Sequence, residues 1–321
     1  MLLSGLGPPP QDTPKPPRPG VETTGVRIPI ERLKPEAVFA VPGAPDWIAI
    51  DDAVWISNEP KNSVTRLDPQ TNTVAATIDV GHAPCSGLAV GFGSLWVPLC
   101  GDRALARVDL KTGQVTARIA TGIAGDEGGL ATGAGSVWLL TDARGTLVRL
   151  DPDTNRVVAE ISVAPGSFAA AFGLGALWVT STEKNVVTRV DVHTNRIVET
   201  IPVGRAPRFL AVGEGAVWTL NQGNGSVSRI DPRTNEVVAT IEVGVPGPGG
   251  EIAAGLGSVW VTSLEFPISR IDPATNEVVQ QFAGPGGDAI RVGLGSVWLS
   301  NLRAGNVWRL DPRRIEATLP D

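Results

Sequence analysis

Residues 208–244 read RFLAVGEGAVWTLNQGNGSVSRIDPRTNEVVATIEVG. Four β-patterned runs lie in this stretch: FLAVG, VWTLN, SVSRID and EVVATIEV. They are parted by GEGA, QGNG and PRTN, each rich in turn-forming residues. The clause returns along the chain, marked by Trp55, Trp96, Trp138, Trp178, Trp218, Trp260 and Trp298 at steps of 41, 42, 40, 40, 42 and 38 residues. A unit of this size cannot bury its own apolar face and must stack on its neighbours. Four short strands per unit and seven units predict an all-β chain: a seven-bladed β-propeller of four-stranded antiparallel blades.

The turns supply the physical detail. After strand c, Asp-Pro-x-Thr-Asn recurs, with Pro69, Pro152, Pro232 and Pro273 fixing φ at the second turn position. Asn72, Asn155, Asn195, Asn235 and Asn276 fall where a left-handed residue is needed, and the second unit has Gly113 there. Asn and Gly alternating at one place points to backbone geometry as the cause. The GxG pieces between strands a and b are hairpin turns, since no helix follows them as a dinucleotide site requires. One Trp per unit at one strand position implies packing between blades. Arg66, Arg107, Arg149, Arg189, Arg229, Arg270 and Arg309 stand two before the Asp that ends strand c. They read as a repeated brace to a carboxylate or to backbone.

A ring needs a seam. Val38–Ile50 aligns with Thr200–Val212, so Glu36–Val41 is a fourth strand placed ahead of blade one. It is expected to complete the last blade and remove two open edges. The tail RRIEATL competes for the same place. Before residue 26 the chain is Pro-rich: GPPPQDTPKPPRPG, residues 7–20, holds seven Pro and predicts a stiff, solvated tether. The expected division is a disordered tether over 1–25 and one propeller over 26–321.

Totals exclude some functions. Net charge is −6 over 321 residues, which gives no basic field for nucleic acid. No apolar run approaches the roughly 18 residues of a membrane helix, so membrane insertion is not expected, and a monomer is. The apolar Met1–Gly7 is too short for a secretory signal. Cys85 and Cys100, the two cysteines, stand opposite each other across the hairpin at Gly91–Ser94. A disulfide there would close a loop of about 16 residues and indicate an oxidising, extracytoplasmic compartment. The alternative is two buried thiols.

Leu177–Pro207, LWVTSTEKNVVTRVDVHTNRIVETIPVGRAP, resembles the YVTN-family propeller repeat, with Trp in place of the usual Tyr. The resemblance covers about residues 36–312. It implies a seven-bladed propeller, often exported and commonly a binding or surface protein, and it implies no single activity. The streptogramin B lyases are a similar propeller family with short Trp-bearing repeats. That likeness implies magnesium, a His at a strand-a entry and acids three residues after the blade Trp. This chain has Asn58, Leu99, Thr141, Ser181, Asn221, Ser263 and Asn301 at the latter place, with no carboxylate. Arg208 or Asp288 stands at the His place, while His82 and His193 lie elsewhere. Lyase activity therefore does not carry over.

Positions equal in every blade are structural, and central positions that differ are candidates for function. At the entry to strand a the blades show Asp46, Ser86, Glu127, Phe168, Arg208, Glu251 and Asp288. The b–c loops on the same face add Asn58, Glu59, Glu183, Asn221 and Asn301. Inside strand a, six blades have Ala and the seventh has Arg291, a cation that needs a partner or water. These residues predict a mouth that holds a small polar molecule or another protein. The alternative is a metal-dependent lyase or hydrolase, with Mg²⁺ or Ca²⁺ held by the acids.

Overall fold

Two-residue hairpins set the inner half of most blades. Phe92 and Gly93 have φ of 57° and 67°, and five further x-Gly pairs repeat this left-handed pattern. Two left-handed residues in succession make the turn whose twist matches paired strands. Blade one has no such pair and uses Asp51, whose Oδ1 accepts from Ala53 N and from Trp55 Nε1, both at 2.9 Å. The outer c–d turns behave as their sequence demands. Asn72, Asn155, Asn195, Asn235, Asn276 and Gly113 all have positive φ, and the preceding Asp accepts from backbone N–H groups in the turn, as Asp151 does from Asp153 at 2.8 Å.

A computed structural model describes residues 18–85, 87–125 and 129–318. They form seven antiparallel blades. Blade five runs Pro207–Gly213, Ala216–Asn221, Ser226–Asp231 and Glu236–Glu242 from channel to rim, and its siblings follow the same order. Each strand a packs against the next, and blade seven meets blade one, so the circle is closed.

One row in each blade explains the ring's cohesion. In blade five, Ala211, Trp218 and Arg229 are paired in register across strands a, b and c. The seven repeat Trp are fully buried. Six of them donate Nε1–H to the Gly that ends strand a, as Trp218 does to Gly213 O at 3.0 Å. Arg229 lies over the Trp218 ring at 5.0 Å and reaches the next blade, donating to Pro273 O and to Asn276 Oδ1 at 2.7 Å each. Arg107, Arg149, Arg189 and Arg309 make the same link to the c–d turn of the following blade. The expected brace is thus directed at a backbone carbonyl and the turn Asn. It fails where its acceptor is missing: Arg66 faces a turn that has Gly113 for Asn.

The N-terminal segment wins the seam. Ala37–Ala40 pairs antiparallel with Asn306–Leu310 and completes blade seven. The tail lacks the Thr-Asn of a c–d turn. Instead Pro312 takes the first position of a short helix, Pro312–Glu316, which Asp311 caps by accepting from Arg313 N. Ile315 of this helix is fully buried, and Glu316 accepts from Arg270 at 3.2 Å, standing in for the missing turn. An unexpected fifth strand, Arg27–Pro29, lies parallel to Glu277–Ala283 on the edge of blade six. Part of the expected tether, Met1–Pro17, lies outside the described residues. Its remainder packs on the ring: Gly20 N donates to Gly244 O, and Val21 N to Gln281 Oε1 at 2.7 Å.

Cys85 and Cys100 are bonded, with Cα atoms 5.8 Å apart. They are not directly opposite. Ala89 pairs Trp96, whereas Pro84 pairs Leu99, so the register slips by two before strand a and sets the cysteines diagonally. A diagonal pair is still within bonding reach.

Candidate functional site

Strand a enters the ring at the face where the d–a and b–c loops meet. Asp46, Trp47, Arg208, Phe209, Gly250, Glu251, Asp288 and Ala289 converge there around a small recess. Blades one, five, six and seven each contribute. The recess offers about 30 Å³, on the order of one or two water molecules.

Two carboxyls dominate it. Asp46 and Asp288 share a hydrogen bond, so one of them carries a proton. Burial, opposed by the Asp288 hydrogen bond, pushes Asp46 up to about 7. Burial and the neighbouring charges of Asp46 and Glu251 push Asp288 up to about 8. Two acids in contact in a poorly hydrated site cannot both ionise cheaply. Arg208 supplies the facing positive charge. Its guanidinium stacks over Phe168 at 4.5 Å and Phe209 at 5.6 Å, which holds the cation beside the acids rather than in bulk water. Trp47 is only 6% exposed, and its indole N–H makes no hydrogen bond of normal geometry among the described residues, although its nearness favours the Asp46 charge.

Glu251 has a different task. It is 4% exposed and accepts from Arg291 Nη1 at 2.5 Å, Arg291 Nη2 at 2.6 Å and Ile290 N at 3.2 Å. Burial raises its carboxyl above the usual range, against the pull of Arg291. Arg291 projects into the channel among the Ala of the other strands a. The single cation in that wall is therefore paired bidentately with a neighbouring blade.

The structure divides the remaining predicted residues. Glu59 stands near enough to raise Asp46. Glu183 is exposed and pairs with Lys184 at 2.6 Å. Asn58, Asn221 and Asn301 are buried at the end of strand b and hydrogen-bonded within their blades, although Asn58 Oδ1 has no partner among the described residues. Asn58 donates to Ser63 and Thr65, Asn221 to Ser226 and Ser228, and Asn301 accepts from Gly287 N. Glu127 lies outside the described residues. Trp47 and Phe209 are site residues that sequence reading did not select. Both follow a strand-a entry by one residue, and comparison of blades at that position would have exposed them.

Among solved structures the chain is similar to virginiamycin B lyase from Staphylococcus aureus, at 17% identity and a TM-score of 0.71, covering 85% of this chain and 98% of that one. It is also similar to BamB from Moraxella catarrhalis, at 15% identity and TM-score 0.63, covering 87% and 97%. A chain of Kuenenia stuttgartiensis hydrazine synthase matches at 15% identity and TM-score 0.72, covering 85% and 97%. The likeness is one of fold. It agrees with the propeller that the YVTN-type repeat implies. No family model and no curated protein matches the chain. Among the described residues, no group of three or more His, Cys, Asp or Glu is placed to hold a metal ion.

Proposed function

We propose that this chain is an extracytoplasmic propeller binding module that takes a polar group of its ligand at the channel mouth. The observation that carries this reading is the convergence of the half-buried acids Asp46 and Asp288 with Arg208 in a recess lined by Trp47 and Phe209. Gathering two acids and a cation out of water is costly. Strand packing does not require it, since the repeat is built without them elsewhere. The recess admits a single head group such as an ammonium, hydroxyl or amide, and the body of the ligand lies over the mouth. That body belongs to a small polar molecule or to a protein side chain. The disulfide fits an oxidising compartment.

Native mass spectrometry of purified protein, followed by a thermal-shift panel of small ammonium, hydroxyl and amide compounds, tests the proposal. A shift with one class that disappears in Asp46→Asn/Asp288→Asn supports it. Equal responses in both proteins would remove the mouth as the site. Arms with Mg²⁺, Ca²⁺ and EDTA address the metal-dependent lyase or hydrolase alternative. A chelator-reversible shift lost in the same variant would favour that reading instead.

A further inference from the structure

Nine Trp occur in the chain, and seven belong to the repeat. Trp47 lines the mouth. Trp308 does not. It precedes the brace arginine of blade seven, where the other blades have Thr65, Ala106, Val148, Thr188, Ser228 and Ser269, all buried. A small side chain thus satisfies the packing at this position six times. Trp308 instead remains half-buried, and its indole N–H donates no hydrogen bond among the described residues.

The indole forms one wall of a cleft between blades six and seven. The cleft encloses about 580 Å³ and is lined mainly by apolar groups: Ile30, Leu33, Pro35, Leu264 and Pro285 besides Trp308. This size lies within the range of small-molecule sites, and it far exceeds the mouth recess. The N-terminal crossover that closes the ring builds one side of it, and the b–c loop of blade seven builds the other. The rim is charged. Lys34 and Arg303 border the cleft, and neither has an ion-pair partner among the described residues; Glu31 is the one acid there. The rim is thus net positive on a chain whose total charge is −6.

We propose that this cleft is a second binding site, for a small amphiphilic carboxylate. Its flat apolar body lies against Trp308 and Leu33, and its carboxylate meets Lys34 and Arg303. Burial of the body supplies the affinity, and the two cations select the sign of the head group.

Titration calorimetry with 2-naphthoate tests this on the full chain. Saturable binding is expected. 2-Naphthylmethylammonium has a similar body and the opposite charge, and it should bind at least tenfold more weakly. Lys34→Glu/Arg303→Glu alters exposed side chains and should weaken naphthoate at least tenfold. Trp308→Ser should abolish binding. If that variant unfolds, Trp308→Phe, which keeps a flat apolar face, should retain it. Asp46→Asn/Asp288→Asn should leave naphthoate binding unchanged, which separates this site from the mouth. The proposal is overturned by no binding at millimolar naphthoate, by equal binding of the ammonium analogue, or by loss of binding in the mouth variant. A dimer of the unaltered chain that Arg303→Glu dissociates, with naphthoate inert, would assign the cleft to a second copy and also overturn it.

Discussion

At the scale of single residues, the mouth acids tie stability to pH. Both have folded-state values above the ordinary 3.8, at about 7 for Asp46 and about 8 for Asp288. The folded protein then holds protons that the unfolded chain has already released. Their contribution is complete below the unfolded value and is lost as pH rises through 7 to 8. Between pH 6 and 9 the protein is expected to lose on the order of 2 kcal/mol more stability than Asp288→Asn does, measured by urea unfolding. Parallel pH curves would show that the pair is not coupled as described. The Glu251–Arg291 pair calls for a double-mutant cycle. Arg291→Ala restores the alanine wall yet strands a buried carboxylate, at a cost of about 3 kcal/mol. Glu251→Ala leaves a guanidinium that reaches water in the channel, at roughly half that cost. The double variant should be more stable than Arg291→Ala, and additive losses would deny the pairing. Comparison of the blades made the acids and Arg291 visible in sequence. It could not show the fate of Asn58 and Asn221. Their amide NH2 groups donate to Ser and Thr on strand c, and only the joint recurrence of Asn58, Ser63 and Thr65 with Asn221, Ser226 and Ser228 hints at that.

Among elements, the c–d turn does two jobs. Its Asn tolerates a left-handed backbone and also accepts the brace from the preceding blade. Sequence reading found the first job from the exchange of Asn with Gly. The second depends on a neighbour about 46 residues away, as with Arg149 and Asn195, and requires the ring to be assembled before it is visible. Arg229→Lys should cost about 1–2 kcal/mol, since Lys cannot keep both turn bonds and the stack on Trp218. Arg66→Lys should cost less than half as much, because among the described residues Arg66 makes no link to the next blade's turn and keeps the stack on Trp55. Equal losses in thermal melts would refute the brace. The disulfide spans a sequence separation of 15, and its reduction should lower stability by about 3 kcal/mol. Two thiols titrating in denaturant without reductant would show that the bond is absent. Where the tail departs from its siblings, the cause was present in the letters. Asp-Pro-Arg-Arg has no residue suited to a left-handed turn, and Pro at the first helical position favours the helix that forms.

For the whole molecule, closure rests on one short strand. Phe39 is 3% exposed and packs on Trp298 with ring centroids 5.8 Å apart. Phe39→Ala should therefore cost about 3–5 kcal/mol, seen as a lower and broader unfolding transition, and a loss under 1 kcal/mol would mean that the seam is held elsewhere. The seam has a consequence for biosynthesis. Phe39 leaves the ribosome before any blade is made, yet its register partner Val307 belongs to the last strand of the seventh blade. Intermediate blades can zip up locally as they emerge, because their pairings are short-range. The founding strand has to wait through the synthesis of all seven blades without its mate. A nascent chain that stalls before blade seven offers a bare edge to other molecules, so premature termination is predicted to yield sticky fragments rather than a smaller working ring.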